Sequence, residues 1–377
     1  MLLRRYRRLF APLAALFLLA PLLVGLAEPD TATTSADEAR TLAAAPALPR
    51  GWRDLPAALR QTDAYLRDHF GMRRLLIHAN ALIVRLLLRS GNDTVLMGRN
   101  DWFFLLGGDT MLAQSAGLLV HAELVEPTAD VIATMQRVLA ARGVPLLVAA
   151  PPNSATIYPE EVPKWARNHG APTEYDLLYA ALSARGVSAV DLRPVLQTEK
   201  LHGQVFMKHD THWSPRGAVA GFNAMVEAAG LPGWTYTSAD ALTPPITVTG
   251  GDLARLLGIG ADVTEQFQWL RIPPSTARLV DNDPYLPNVV KRDAPGPTIL
   301  VIGDSFTRWW FKDLIATRTG QVVWMHHQRC GFDWKWIDDL HPDQVWFMTT
   351  ERLMLCAPGA RPVGLDKAAA ALTSAAR

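Results

Sequence analysis

Thr298-Ile299-Leu300-Val301-Ile302-Gly303-Asp304-Ser305-Phe306 is the stretch whose reading decides the fold. It is a short, continuously apolar run that ends in a Gly-x-Ser turn, with helix-compatible residues beyond. Such a run suits a strand buried on both faces, as in a parallel sheet. Four other runs are of the same kind: 144–154 (VPLLVAAPPNS), 186–196 (GVSAVDLRPVL), 321–327 (QVVWMHH) and 343–352 (DQVWFMTTER). Helical segments separate most of them. One is expected at 126–142, starting near Pro127 and closing at Gly143, and another at 174–185. A third has Ser214 as its N-cap and Pro215 in its first turn, and runs to about Ala229. Five strands alternating with helices predict a three-layer α/β fold with a mainly parallel sheet. In such sheets the site lies beyond the carboxyl ends of the strands.

Ser305 lies at such an end. Its hydroxyl can face the open edge of the sheet, and its backbone N–H sits at a helix start, where it can stabilise an oxyanion. The competing reading is a plain helix cap. A base for this serine is offered by Lys208-His209-Asp210-Thr211-His212-Trp213-Ser214, where Asp-x-His is held against the start of the third helix. In an extended stretch, residues i and i+2 point the same way, so Asp210 can orient His212 and leave its other ring nitrogen for a hydroxyl. The alternatives are an inert core histidine at His212 and a metal held by His209, His212 and Asp210. The metal reading lacks an evident further set of ligands, and no metal is expected. His209 itself reads as an exposed neighbour without a role.

The bulk numbers narrow the function. The chain has 377 residues, with Lys+Arg 37 against Asp+Glu 36, a net charge of +1. That balance speaks against nucleic-acid binding. Twelve tryptophans are core or interface residues, or line a carbohydrate groove, since sugar rings stack on indole. Residues 1–27 combine Arg4, Arg5, Arg7 and Arg8 with an apolar run from Leu9 to Ala27, a signal peptide or an uncleaved signal-anchor helix. Gly25-Leu26-Ala27 is a passable cleavage site, but the length favours an anchor. The basic end stays cytoplasmic, so the body is expected in the periplasm, tethered to the inner membrane. Residues 28–55 read as a linker, 56–90 as helical (Leu59, Leu66, Leu75, Ile83, Leu86), 56–360 as the main domain, and 361–377 as an Ala-rich tail. Asn100-Asp101 is a turn before an apolar strand. Cys330 and Cys356 are either a disulfide or two buried thiols.

The segments 209–218 (HDTHWSPRGA) and 301–306 (VIGDSF) together resemble the SGNH-hydrolase-like domain of alginate O-acetyltransferases, of the AlgJ/AlgX type. Further segments agree in order: 98–105 (GRNDWFFL), 151–163 (PPNSATIYPEEVP), 250–260 (GGDLARLLGIG) and 349–354 (TTERLM). The resemblance covers about residues 90–356. It implies Ser305 as nucleophile, His212 as base and Asp210 as its orienter, with the N–H groups of Ser305 and Gly251 as an oxyanion hole. Gly250, adjacent, competes with Gly251 for that role. Asn153 stands where many relatives carry Lys. Asn153, Tyr158 and Arg329 are the substrate-contact candidates. Arg329 and the pair Glu351-Arg352 follow strand ends and serve either an anionic sugar or structural ion pairs, the second being favoured. The implied function is O-acetylation of an exopolysaccharide, alginate-like or cellulose, through an acetyl-serine. No cofactor is bound on this reading. A multispanning membrane acyltransferase supplies the acetyl group, alongside other polymer-modification proteins. The rivals are an acetyl esterase and a non-catalytic polysaccharide-binding assembly protein.

Overall fold

A computed structural model describes residues 2–27, 32–35, 40–83, 91–106, 111–272, 278–279, 286–292 and 295–375. The chain divides into two compact units. One is Met1–Asn92 with Asp252–Val263, the other Asp93–Gly251 with Thr264–Arg377.

The second unit is built on a seven-stranded sheet. Its strands are β1 (Leu146–Ala149), β2 (Ala189–Val190), β3 (Arg278–Leu279), β4 (Asn288–Lys291), β5 (Thr298–Gly303), β6 (Gln321–His326) and β7 (Gln344–Met348). Their order across the sheet is β2-β1-β7-β5-β6-β4-β3. The five strands expected from apolar runs are β1, β2, β5, β6 and β7, and they pair in parallel. The sheet is nonetheless mixed. β4 pairs antiparallel with β6, and β3 antiparallel with β4. β4 has only two valines between polar ends and β3 only two residues, so neither makes an apolar run.

Side chains alternate between the two faces, as the strand period of two requires. Leu147, Ile299, Val301, Val322 and Trp324 join one core, and Leu146, Leu300, Ile302, Val323 and Phe347 join the other. The second core is closed by α1 (Ala122–Ala140), α2 (Glu174–Ala184) and α5 (Leu365–Ala375). The first is closed by α3 (Pro215–Ala228) and α4 (Lys312–Ala316). Both faces are therefore covered, which explains why these strands read as continuous apolar runs. Burying each such Ile, Leu or Val is worth about 1.5–3 kcal/mol.

α1 starts before the expected Pro127 and runs through it. Its end is as expected, with Gly143 at φ 74 and Val144 N–H donating to the Leu139 carbonyl. α2 opens with a Thr173/Asp176 capping box. The turn at Asn100-Asp101, both at positive φ, joins strands Val95–Met97 and Phe103–Leu105. A second antiparallel pair, Leu242–Thr249 with Thr264–Leu270, was not foreseen, because Pro244-Pro245 interrupts its first strand. Cys330 and Cys356 form a disulfide.

The first unit holds the helix Leu2–Ala27 and the helices Leu55–His69 and Arg73–Ile83. The helix expected over 56–90 is thus broken at Phe70–Met72, where Met72 takes φ 62. A Cβ on Gly71 would collide with the backbone of Pro21 and Gly25. Leu86 lies outside the described residues. The expected linker contains a two-residue strand pair, Thr34–Ser35 with Arg40–Thr41. Among the described residues, no helix is long and apolar enough to cross a membrane.

Candidate active site

The turn after β5 is fixed by three features. A Cβ on Gly303 would collide with Thr307 Oγ1 and lie 2.7 Å from the Met348 carbonyl oxygen, so the turn can fold close to β7 only with glycine there. Asp304 is buried, and its carboxylate accepts the Phe306 N–H at 3.0 Å and the Thr350 N–H at 2.7 Å. One side chain thereby ties the ends of β5 and β7 together. The Asp304 carbonyl accepts the N–H groups of Thr307 and Arg308, which starts the following turn. Ser305 is presented between these fixed points.

The loop 209–213 approaches this turn from the start of α3. Ser214 caps α3 by accepting the Gly217 N–H and donates its own hydroxyl to the Gln204 carbonyl at 2.6 Å. The Trp213 indole donates to the Phe306 carbonyl at 3.1 Å, which docks the loop on the serine turn. His212 Nδ1 lies 2.7 Å from Asp210 Oδ1, and the same oxygen accepts the His212 backbone N–H at 3.1 Å. A carboxylate only accepts, so the ring proton is on Nδ1 and Nε2 offers a lone pair. That nitrogen faces Ser305 Oγ at 2.8 Å. The ring packs on Phe306 with centroids 5.0 Å apart. The side chains of His212 and Asp210 are 22% and 13% exposed, open enough for a reactant to approach. A hydroxyl, an imidazole and a carboxylate therefore stand in line, the arrangement that lets a base take a serine proton.

Other expected residues fall elsewhere. His209 is a correction: it is 1% exposed rather than an exposed neighbour. Its Nε2 meets Asp101 Oδ2 at 3.0 Å and its ring packs on Phe103, so it fastens the 95–105 hairpin beneath the loop. Gly251 has φ 142, and a Cβ there would collide with the His209 carbonyl, so it lies against the residue preceding Asp210. Asn153 is fully buried. Its side chain donates to Ser115 and its N–H to Glu351 at 2.7 Å, an internal position rather than an open sugar contact. Tyr158 is also buried, between Trp102 and the Lys200 ammonium. Its hydroxyl accepts the Val205 N–H, and burial pushes its pKa up to about 12. Arg329 is exposed in a left-handed turn, with φ 49. Glu351 is buried, and Arg352 lies over the Phe306 ring.

The residues missed were those that hold the turn. Asp304 is the unspecified middle of Gly-x-Ser. Glu265 accepts the Lys208 N–H at 2.8 Å and the Gln204 amide at 2.7 Å, but lies far along the chain. No local pattern marks either.

The family described as "SGNH hydrolase-like domain, acetyltransferase AlgX" matches residues 95–341, which contain both halves of this constellation. The chain belongs to that family. Within the AlgX-type SGNH family, curated relatives include "Probable alginate O-acetylase AlgJ" of Pseudomonas putida. It is 29% identical over 166 residues, 44% of this chain and 42% of the relative. The protein of that name in Pseudomonas aeruginosa is 29% identical over 156 residues, 41% and 38% of the two chains. The chain thus spans about two fifths of the curated relatives it matches. Among solved structures, Bacillus cereus PatB1 superposes with a TM-score of 0.51 at 15% identity, over 70% of this chain and 98% of that one. At that identity the likeness is one of fold.

Proposed function

We propose that this chain is an O-acetyltransferase that moves acetyl groups onto hydroxyls of an exopolysaccharide. The observation that carries the reading is His212, placed 2.8 Å from Ser305 Oγ by one ring nitrogen and 2.7 Å from Asp210 by the other. Membership of an acetyltransferase family and relatives named alginate O-acetylase point the same way.

On this reading Ser305 Oγ attacks the acetyl carbonyl of a donor while His212 Nε2 takes its proton. Asp210 holds the tautomer and stabilises the imidazolium. The tetrahedral oxyanion is held by the N–H groups of Ser305 and Gly251. The donor's leaving group departs with the proton from His212, and acetyl-Ser305 remains. In the second half, His212 takes the proton of a sugar hydroxyl, whose oxygen attacks the acetyl carbon. The Ser305 Oγ–carbon bond breaks, and the proton returns to Oγ. The donor group arrives through a multispanning membrane acyltransferase. The body works in the periplasm, at the inner membrane that holds its acetyl donor.

Intact-mass spectrometry of the full chain in detergent, after incubation with an activated acetyl ester, tests this. Wild type gains one acetyl and discharges it when short alginate or cellulose oligomers are added, whereas Ser305→Ala gains none. Discharge to water alone, with oligomers present, would make the protein an esterase. An unlabelled wild type would remove the enzymatic reading.

A further inference from the structure

β6 runs into a turn that L-residues resist. Gln328, Arg329 and Cys330 take φ 48, 49 and 73, three successive non-glycine residues in the left-handed region. There each Cβ crowds the carbonyl oxygen that follows, so such residues are uncommon and usually occur singly. Neighbouring groups hold the turn in place. His326 Nδ1 accepts the Gln328 N–H at 2.9 Å, and His327 Nδ1 accepts the Arg329 N–H at 3.0 Å. The Arg329 carbonyl accepts the Ala357 N–H at 3.0 Å, and beside that bond the disulfide joins Cys330 to Cys356. Of these restraints only the disulfide is covalent. Strain of this kind persists where the surroundings over-determine it, and it gathers at switch regions.

The turn bears on the serine. His326 stands opposite Gly303 in the parallel ladder of β5 and β6. His327, one residue before the left-handed run, donates its N–H to the Gly303 carbonyl at 3.0 Å. That bond ties the turn to a residue two positions before Ser305. The crosslink also has an approach from solvent. Cys330 is 1% exposed and Cys356 4%, and Cys356 lines an open cavity of about 340 Å³ between α1 and the segment 356–361. A small thiol entering there meets Cys356, and the sulfur it displaces is that of Cys330, on the strained turn. Opening in this sense releases the strain, which makes a disulfide labile.

We propose that Cys356 is a thiol-exchange site for a small dithiol, and that opening the disulfide there slows Ser305 by freeing the left-handed turn that holds Gly303. The effect on Ser305 rests on the reading of that serine as the nucleophile. One thiol of the reagent loses its proton and attacks Cys356 Sγ. The Sγ–Sγ bond breaks, and Cys330 leaves as a thiolate that takes up a proton. The second thiol loses its proton and attacks the reagent's own sulfur in the mixed disulfide. Cys356 leaves as a thiolate and is protonated, and the reagent departs as a cyclic disulfide. Two electrons have passed from the dithiol to the crosslink. The turn then relaxes to negative φ, and the His327–Gly303 hydrogen bond is lost.

Dithiothreitol tests this on the oxidised full chain in detergent, without denaturant. Alkylation followed by intact-mass spectrometry counts the opened crosslinks. Hydrogen exchange read by mass spectrometry follows the His327 amide, and a serine-reactive phosphonate follows Ser305. The disulfide opens in the folded protein, exchange at His327 quickens, and labelling of Ser305 slows by about tenfold, as expected for a displaced nucleophile. Reoxidation restores both. With 2-mercaptoethanol the trapped mixed disulfide is on Cys356 and the alkyl group on Cys330. Arg329→Gly accepts positive φ without strain, and its disulfide opens about threefold more slowly. This variant keeps the crosslink, so its opening rate decides even where thermal melts show that the reduced chain unfolds. A disulfide that opens only on unfolding, a mixed disulfide on Cys330, or an Arg329→Gly crosslink that opens as fast as wild type would overturn the exchange site. Unchanged exchange at His327 in a reduced, folded chain would overturn the coupling to Gly303. An oxidised chain that is never labelled would sink the nucleophile reading, while thiol counting and hydrogen exchange would still decide the switch.

Discussion

Glu351 shows how a single buried carboxylate couples this molecule to pH. Its oxygens accept from the Asn153 N–H at 2.7 Å, from Thr156 and from Ser115, yet burial outweighs these bonds and raises its pKa to about 7. The native protein holds this proton up to about pH 7, while the unfolded chain releases it near 4.5. Between those values unfolding releases a proton, so rising pH destabilises, by on the order of 3 kcal/mol across the window. His327 acts with the opposite sign. Burial lowers its pKa to about 4, so the unfolded chain takes up a proton below 6.5, and rising pH stabilises over that range. The two slopes overlap, and a difference measurement separates them. Glu351→Gln keeps an acceptor for Asn153 and removes only the first. Urea unfolding from pH 5 to 7.5 should show wild type losing stability relative to Glu351→Gln as pH rises, and parallel curves would refute the assignment. At this scale the meeting of Ser305, His212 and Asp210 was legible, because a Gly-x-Ser turn at a strand end and an Asp-x-His loop at a helix start are local patterns, and the structure brings the three side chains together. The burial of Asn153 and Tyr158 was not legible, because burial is a property of the packed molecule and not of a short segment.

The element that matters most is β5 with its turn. Its register between β7 and β6, together with Gly303 and the Asp304 carboxylate, sets where Ser305 stands. Gly303→Ala would force Thr307 or the Met348 carbonyl to move. Overpacking of this kind costs about 1–3 kcal/mol. We expect the loss in chemical denaturation, and with it a lower rate of Ser305 labelling by a serine-reactive phosphonate under conditions where the variant is fully folded. A variant as stable and as reactive as wild type would mean that the turn is not set by this close approach. The five parallel strands were legible because burial on both faces leaves an unbroken apolar run. β3 and β4 were not, since an edge position asks little of a side chain. The split of the 56–90 helix was hidden too, because it depends on Gly71 meeting residues from the start of the chain.

Across the whole second unit, the Cys330–Cys356 disulfide closes a loop of sequence separation 26 around β7. Chain-entropy arguments give such a closure about 3–4 kcal/mol, by restricting the unfolded chain. Reduction, or Cys330→Ser with Cys356→Ser, should lower the denaturation midpoint accordingly in urea, and an unchanged midpoint would assign the crosslink no such role. The pairing was open in the sequence because it depends on the segments that follow β6 and β7 meeting in space. The same dependence governs reactivity. The histidine and its carboxylate share one short loop, while the serine comes from the end of β5, 93 residues later in the chain. On the proposed reading, Ser305 in an unfinished chain is an ordinary alcohol, and only closure of the sheet brings a base to it. A reagent that labels this serine would therefore count correctly assembled molecules, whatever polymer they serve.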